Sequence, residues 1–179
     1  MKEESPAENQ VQCVTSFQDL VSAPFHEELN AICWTRKLIG DFSEIVKNVK
    51  LNENMAVLEE DELRELQLST LGELARETLL HDMKLLTAHG ASPTLNLIKW
   101  YERDDTYPFF PTDVYSFHVD RSPIPTDTFL CTYHGDASDI IPNAQAEQKI
   151  LVPEIRVELK KLYGGKDEGF DAFLTEYFF

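Results

Sequence analysis

The order of patterns along the chain predicts an α+β fold, with helices first, then an antiparallel sheet, then more helix. Three observations predict it. Phe42, Ile45, Val46 and Val49, and then Leu63, Leu66, Leu71 and Leu74, recur at roughly helical spacing. Tyr115–Asp120 alternates strictly between apolar and polar residues, the period of a strand. Pro153–Tyr163 then returns to helical character.

Residues 1–10, rich in Glu, Ser, Pro, Asn and Gln, read as a disordered tail ahead of a single domain over 11–179. Val11–Phe17 reads as a short strand and Ala31–Trp34 as a buried one. Asp41 can cap a helix through about Lys50. Glu59–Glu62 opens a helical region to about Ala88, since acids in a first turn suit the helix dipole. Gly72 is the expected break in it, and His89-Gly90 its stop. Thr94–Tyr101 reads as a strand and Glu102–Pro111 as an acidic loop. The alternating strand follows, then a loop with Pro123 and Pro125, then a strand over Thr128–His134. Pro153 suits a first helical position, and Gly164-Gly165 ends that helix. Phe170–Phe179 is expected to be a further helix, or a helix running into a strand, with Phe170, Phe173, Tyr177 and Phe178 buried against the sheet.

Composition narrows the function. Thirty-two acidic against 16 basic residues give a formal charge of −16. Phosphate binding needs a basic face, so nucleic acid is not an expected partner, and neither is an anionic membrane surface. No apolar run approaches the roughly 20 residues of a membrane span. The polar start MKEESPAENQ lacks the apolar core of a secretory leader. Three widely spaced cysteines without a C-x-x-C fit a reducing cytoplasm. The chain has no G-x-S-x-G, G-x-x-x-x-G-K or G-x-G-x-x-G.

His118 and Asp120 carry the sharpest chemistry. On one face of a strand, they would offer two members of the 2-His-1-carboxylate set that holds non-haem Fe(II). Beside that metal reading stands a plainer one: a solvated strand face with His118 hydrogen-bonded to Asp120 or to a neighbour. His134 could complete a site or lie at a loop edge. Arg121 could pair with Asp120 or with an acidic group of a substrate. His81 and His89, about 12 Å apart on a helix, are too distant for a zinc pair. Cys131 and His134 fall on opposite faces of a strand, so no activated thiol is expected there. Tyr107, Phe109 and Phe110 could line the mouth of a pocket.

The segment FHVDRSPIPTDTFLCTYHGDASDIIP, residues 117–142, resembles an uncharacterised bacterial family. Its members carry H-x-D, then a strand ending in C-T-Y-x-G, then a loop with acidic or Thr residues and an apolar-Pro end. Asn30–Arg36 looks like that family's apolar-Trp-x-Arg segment. The likeness spans about residues 30–145. The family is distantly similar to double-stranded β-helix oxygenases that use Fe(II) and 2-oxoglutarate. The resemblance implies N-terminal helices packed on an antiparallel, partial or complete double-stranded β-helix (cupin-like) sheet. It implies His118 and Asp120 as metal ligands, with Arg121, Tyr133 and His134 toward a substrate or co-substrate pocket. The implied reaction is oxidation of a small molecule or peptide side chain. Asp136–Asp139 departs from the Gly-rich turn of the pattern, and no histidine follows His134. Either the natural chain continues past Phe179 or the site is incomplete. The competing class is a non-enzymatic acidic module, immunity-like, that neutralises a basic partner.

Overall fold

The computed structural model describes residues 10–26, 29–109, 112–120, 122 and 124–178. Residues 1–9 of the expected 1–10 tail, and Phe110, Arg121, Pro123 and Phe179, lie outside them. The chain divides into two compact units. The first takes the described residues up to Tyr101 together with Leu130–Ser138, and the second takes Glu102–Phe129 and the residues from Asp139 on.

The first unit begins with β1 (Val11–Val14), α1 (Phe17–Ser22) and β2 (Ala31–Trp34). The two strands pair in parallel, Val11 beside Ala31 and Val14 beside Trp34. A parallel pair cannot close through a tight turn, and α1 lies in the crossover. Ser16 caps α1, its hydroxyl accepting from the Asp19 amide at 3.0 Å. The edge of Phe17 meets Trp34 with ring centres 6.1 Å apart.

Helix α2 (Phe42–Asn48) starts at the expected cap, with the Asp41 carboxylate accepting from the Ser43 amide at 3.0 Å. The expected long helical region is two helices, α3 (Glu60–Glu65) and α4 (Thr70–His89). They part at Leu66–Ser69 rather than at Gly72. Ser69 caps α4, and Gly72 lies buried in its first turn. The Glu44 carboxylate accepts from the Ser69 amide at 2.7 Å and its hydroxyl at 2.6 Å. Those bonds hold Glu44 below the usual carboxylate range and tie α2 to the start of α4. Phe42, Ile45, Leu58, Leu63, Ala75 and Leu79 form the core between these helices. Leu71 and Leu74, two of the leucines at roughly helical spacing, are exposed. The buried stripe of α4 is Gly72, Ala75, Leu79 and Asp82. Two of these four are small, which lets α2 approach closely. The short strands β3 (Met55–Val57) and β4 (Asn96–Ile98) pair antiparallel, so the predicted Thr94–Tyr101 strand is real but only three residues long.

In the second unit, α5 (Pro153–Tyr163) runs over the predicted residues with Pro at its first position, and stops at Gly164. Helix α6 (Phe170–Tyr177) packs against α5. Ile150, Leu159, Phe170 and Leu174 are buried between them, with Phe109, Ile155, Tyr163, Phe173 and Phe178 packed around. Burial of each such large side chain is worth about 1.5–3 kcal/mol. Of the four aromatics expected to be buried, Phe170 is, Phe173 and Phe178 are half-buried, and Tyr177 is exposed. Their support is helical rather than a sheet.

The double-stranded β-helix is therefore overturned. The described residues hold four short strands in two separate two-stranded sheets, and most of their regular structure is helical. Tyr115–Asp120 and Thr128–His134 are not strands. Alternation shows that a segment suits an extended backbone with one apolar face. It does not supply a neighbour to pair with, and pairing is what makes a sheet. Among the described residues no helix is long and apolar enough to cross a membrane.

Candidate functional site

His118 and Asp120 do sit side by side, with Nε2 and Oδ1 3.5 Å apart. Both are exposed, and they lie in an irregular segment of the second unit. The Nδ1 of His118 is engaged by the Ser116 carbonyl at 2.6 Å. Among the described residues no group of three or more His, Cys, Asp or Glu side chains could hold a metal ion. The cupin-like sheet expected to present the pair is absent among the described residues, and a facial triad there would need a third ligand beside these two. Arg121 lies outside the described residues. Tyr133 and His134 belong to the first unit, and His134 is exposed there.

The same segment frames an open hollow of about 610 Å³, lined by Arg103, Asp104, Asp105, Tyr107, Phe109, Asp113 and Lys149 among others. Tyr107 and Phe109 are at its wall, as their place in the chain suggests. Asp113 organises the turn. Its carboxylate accepts from the Tyr115 amide at 3.0 Å and the Asp104 amide at 3.3 Å, and Arg103 lies 3.6 Å away. Asp104 accepts from the Thr106 amide at 3.0 Å and the Thr112 hydroxyl at 2.8 Å. Hydrogen bonds led by the Thr106 hydroxyl hold Asp104 below the usual carboxylate range. Arg103 covers the Tyr115 ring, its guanidinium carbon 3.8 Å from the centre. Asp105 stays exposed at the rim.

A different cluster anchors the first unit. Asp82 is buried on α4. Arg36 donates to both its oxygens, Nη1 to Oδ1 at 2.7 Å and Nη2 to Oδ2. The Tyr133 hydroxyl donates to Oδ2 at 2.7 Å, and the Tyr133 ring stacks on Phe42 with centres 5.4 Å apart. The guanidinium of Arg36 also lies over Trp34, 4.1 Å from the ring centre. Chain segments far apart in sequence thus meet on one carboxylate. Tyr133 has a structural role here, fastening Leu130–Ser138 to the helical core.

Burial, and then the hydroxyl's bond to Asp82, hold the Tyr133 phenol well above the ordinary tyrosine range. The unfolded phenol ionises near its ordinary value of about 10. Its contribution to stability is therefore complete below that pH and declines as pH rises beyond it. In an alkaline titration followed by tyrosinate absorbance, one of the six tyrosines should ionise only as the first unit unfolds. Tyr133→Phe should remove that late step. A normal early titration of all six would contradict the burial.

Neither Asp82 nor its bonds emerge from motif reading, although the position carries a signal. A carboxylate that continues the stripe of Gly72, Ala75 and Leu79 must find a cation when the helix packs. Comparison of the chain with protein families, with curated proteins and with solved structures finds no match.

Proposed function

We propose that the chain is a non-enzymatic binding module that takes an extended, basic segment of a partner protein along residues 112–120 and 124–129 of the second unit. One observation carries this reading: the apolar residues that the alternating pattern marks for burial are in water. Phe117 is 62% exposed and Val119 94%, and Ile124, in the loop that follows the pattern, is 67% exposed. Tyr115 is exposed as well. Apolar side chains concentrated in one irregular stretch favour association. The charge sets the sign of the partner. Asp120 and Asp127 lie in the stretch and Asp105 lies at the hollow, all exposed, on a chain of net charge −16.

The test uses two synthetic peptides, one alternating valine with lysine and one alternating valine with glutamate. Binding is followed by fluorescence anisotropy. The lysine peptide should bind at least about tenfold more tightly, a difference of about 1.4 kcal/mol. Added salt should weaken it. Phe117→Ser with Val119→Ser should abolish binding, whereas Asp61→Asn with Glu65→Gln, exposed acids on α3, should leave it. Equal loss in both variants would mean diffuse charge attraction and would sink the proposal. So would a rise in melting temperature with Fe(II) and 2-oxoglutarate that disappears in His118→Ala and Asp120→Ala. That outcome would restore the oxygenase reading that the family resemblance implies.

A further inference from the structure

Cys13 and Cys33 are direct partners across the parallel pair of β1 and β2. Parallel strands lie about 4.8 Å apart, and partnered residues point to the same face. That spacing falls inside the roughly 4.4–6.8 Å between Cα atoms that a disulfide spans. Both thiols are free, and both are exposed. On the opposite face Val14 is buried, Ile32 is half-buried and Trp34 meets Phe17, while Gln12 at the strand start is exposed. The cysteines therefore share the outward face of a two-stranded sheet.

We propose that Cys13 and Cys33 form a vicinal dithiol, a modification site that closes reversibly to a cross-strand disulfide by exchange with a low-molecular-weight disulfide. The thiolate of one cysteine attacks a sulfur of the small disulfide, breaks its S–S bond and expels one thiol. The neighbouring thiolate then attacks the protein sulfur of the mixed disulfide and expels the second thiol. Two protein S–H groups become one S–S bond, and the small disulfide is reduced to two thiols. The adjacent register makes the second step intramolecular and fast, so a mixed disulfide does not persist. The side-chain bonds of in-register parallel partners run parallel rather than converging. The closed bond is consequently strained and easily reduced, a property of labile rather than structural disulfides.

The experiment uses the full chain carrying Cys131→Ser, which leaves Cys13 and Cys33 of the three free cysteines. Incubation with glutathione disulfide should consume both thiols without adding glutathione mass. Peptide mapping should find Cys13 joined to Cys33 within one chain, and dithiothreitol should reverse it. Further replacement of either cysteine, Cys13→Ser or Cys33→Ser, should leave its partner carrying one stable glutathione. Since both side chains are exposed, these replacements should leave the fold unchanged. Retention of glutathione on both cysteines of the pair, no reaction at either, or a bond joining two chains would each overturn the proposal.

Discussion

Asp82→Ala should destabilise the first unit by about 3–5 kcal/mol, the cost of breaking a buried ion pair by removing one partner. The side chain of Asp82 is 7% exposed and that of Arg36 22%, so water can replace little of what is lost. The Arg36 guanidinium would lose its two acceptor oxygens, and the Tyr133 hydroxyl its carboxylate. The Leu130–Ser138 segment would lose its fastening in the same stroke. Arg36→Met combined with Asp82→Leu should recover most of the loss, because apolar groups of similar volume leave no charge unpaired. Tryptophan fluorescence in rising denaturant gives a clean readout. Both tryptophans, Trp34 and Trp100, belong to the first unit, so the signal is not mixed with unfolding of the second. A denaturation midpoint in Asp82→Ala equal to that of the parent would show that the pair contributes little.

The helices were the most readable part of this chain, because the information that forms them is local. Asp41 before Phe42, Pro153 before an amphipathic run, and Gly90 and Gly164 after their helices all act over one turn, and each does so here. The face of α4 was less readable. Leucine spacing pointed to Leu71 and Leu74, while the close approach of α2 selected Gly72 and Ala75. That choice depends on a neighbour which periodicity does not contain. Strand pairing lies further still from local pattern. Ala31–Trp34 and Val11–Val14 pair with each other, while Tyr115–Asp120, with the cleaner alternation, pairs with nothing in a sheet.

The candidate sites divide in the same way. His118 and Asp120 are neighbours, an exposed histidine engaged by Ser116 and facing Asp120, although the strand expected to carry them is absent. The partners that would turn such a pair into a metal centre must come from elsewhere in the chain, and two-residue spacing says nothing about them. Tyr133 was legible as a residue of interest, but its role was not. Its partner Asp82 is 51 residues away in sequence, and only the packed helix brings the two together.

That packing can be tested at its tightest point. Gly40 precedes the cap of α2, where the Asp41 amide donates to the Leu71 carbonyl at 2.9 Å. Its φ is +124°, in the region that favours glycine. A Cβ placed there would lie 2.4 Å from the backbone nitrogen of Ala75 and 2.7 Å from its Cα, in the first turns of α4. Backbone in a helix cannot swing aside as a side chain can. Gly40→Ala should therefore cost about 1–3 kcal/mol for the backbone conformation and a similar amount, about 1–3 kcal/mol, for the overlap. Gly90→Ala separates the two contributions. Gly90 also has a positive φ, +97°, but a Cβ there meets nothing within 4 Å. It should cost only the conformational part, about 1–2 kcal/mol. Thermal melting of the two variants, again followed by tryptophan fluorescence, should give a clearly lower midpoint for Gly40→Ala. Equal midpoints would mean that α2 and α4 do not approach this closely, and the account of why α4 buries its small residues rather than Leu71 and Leu74 would fall with them.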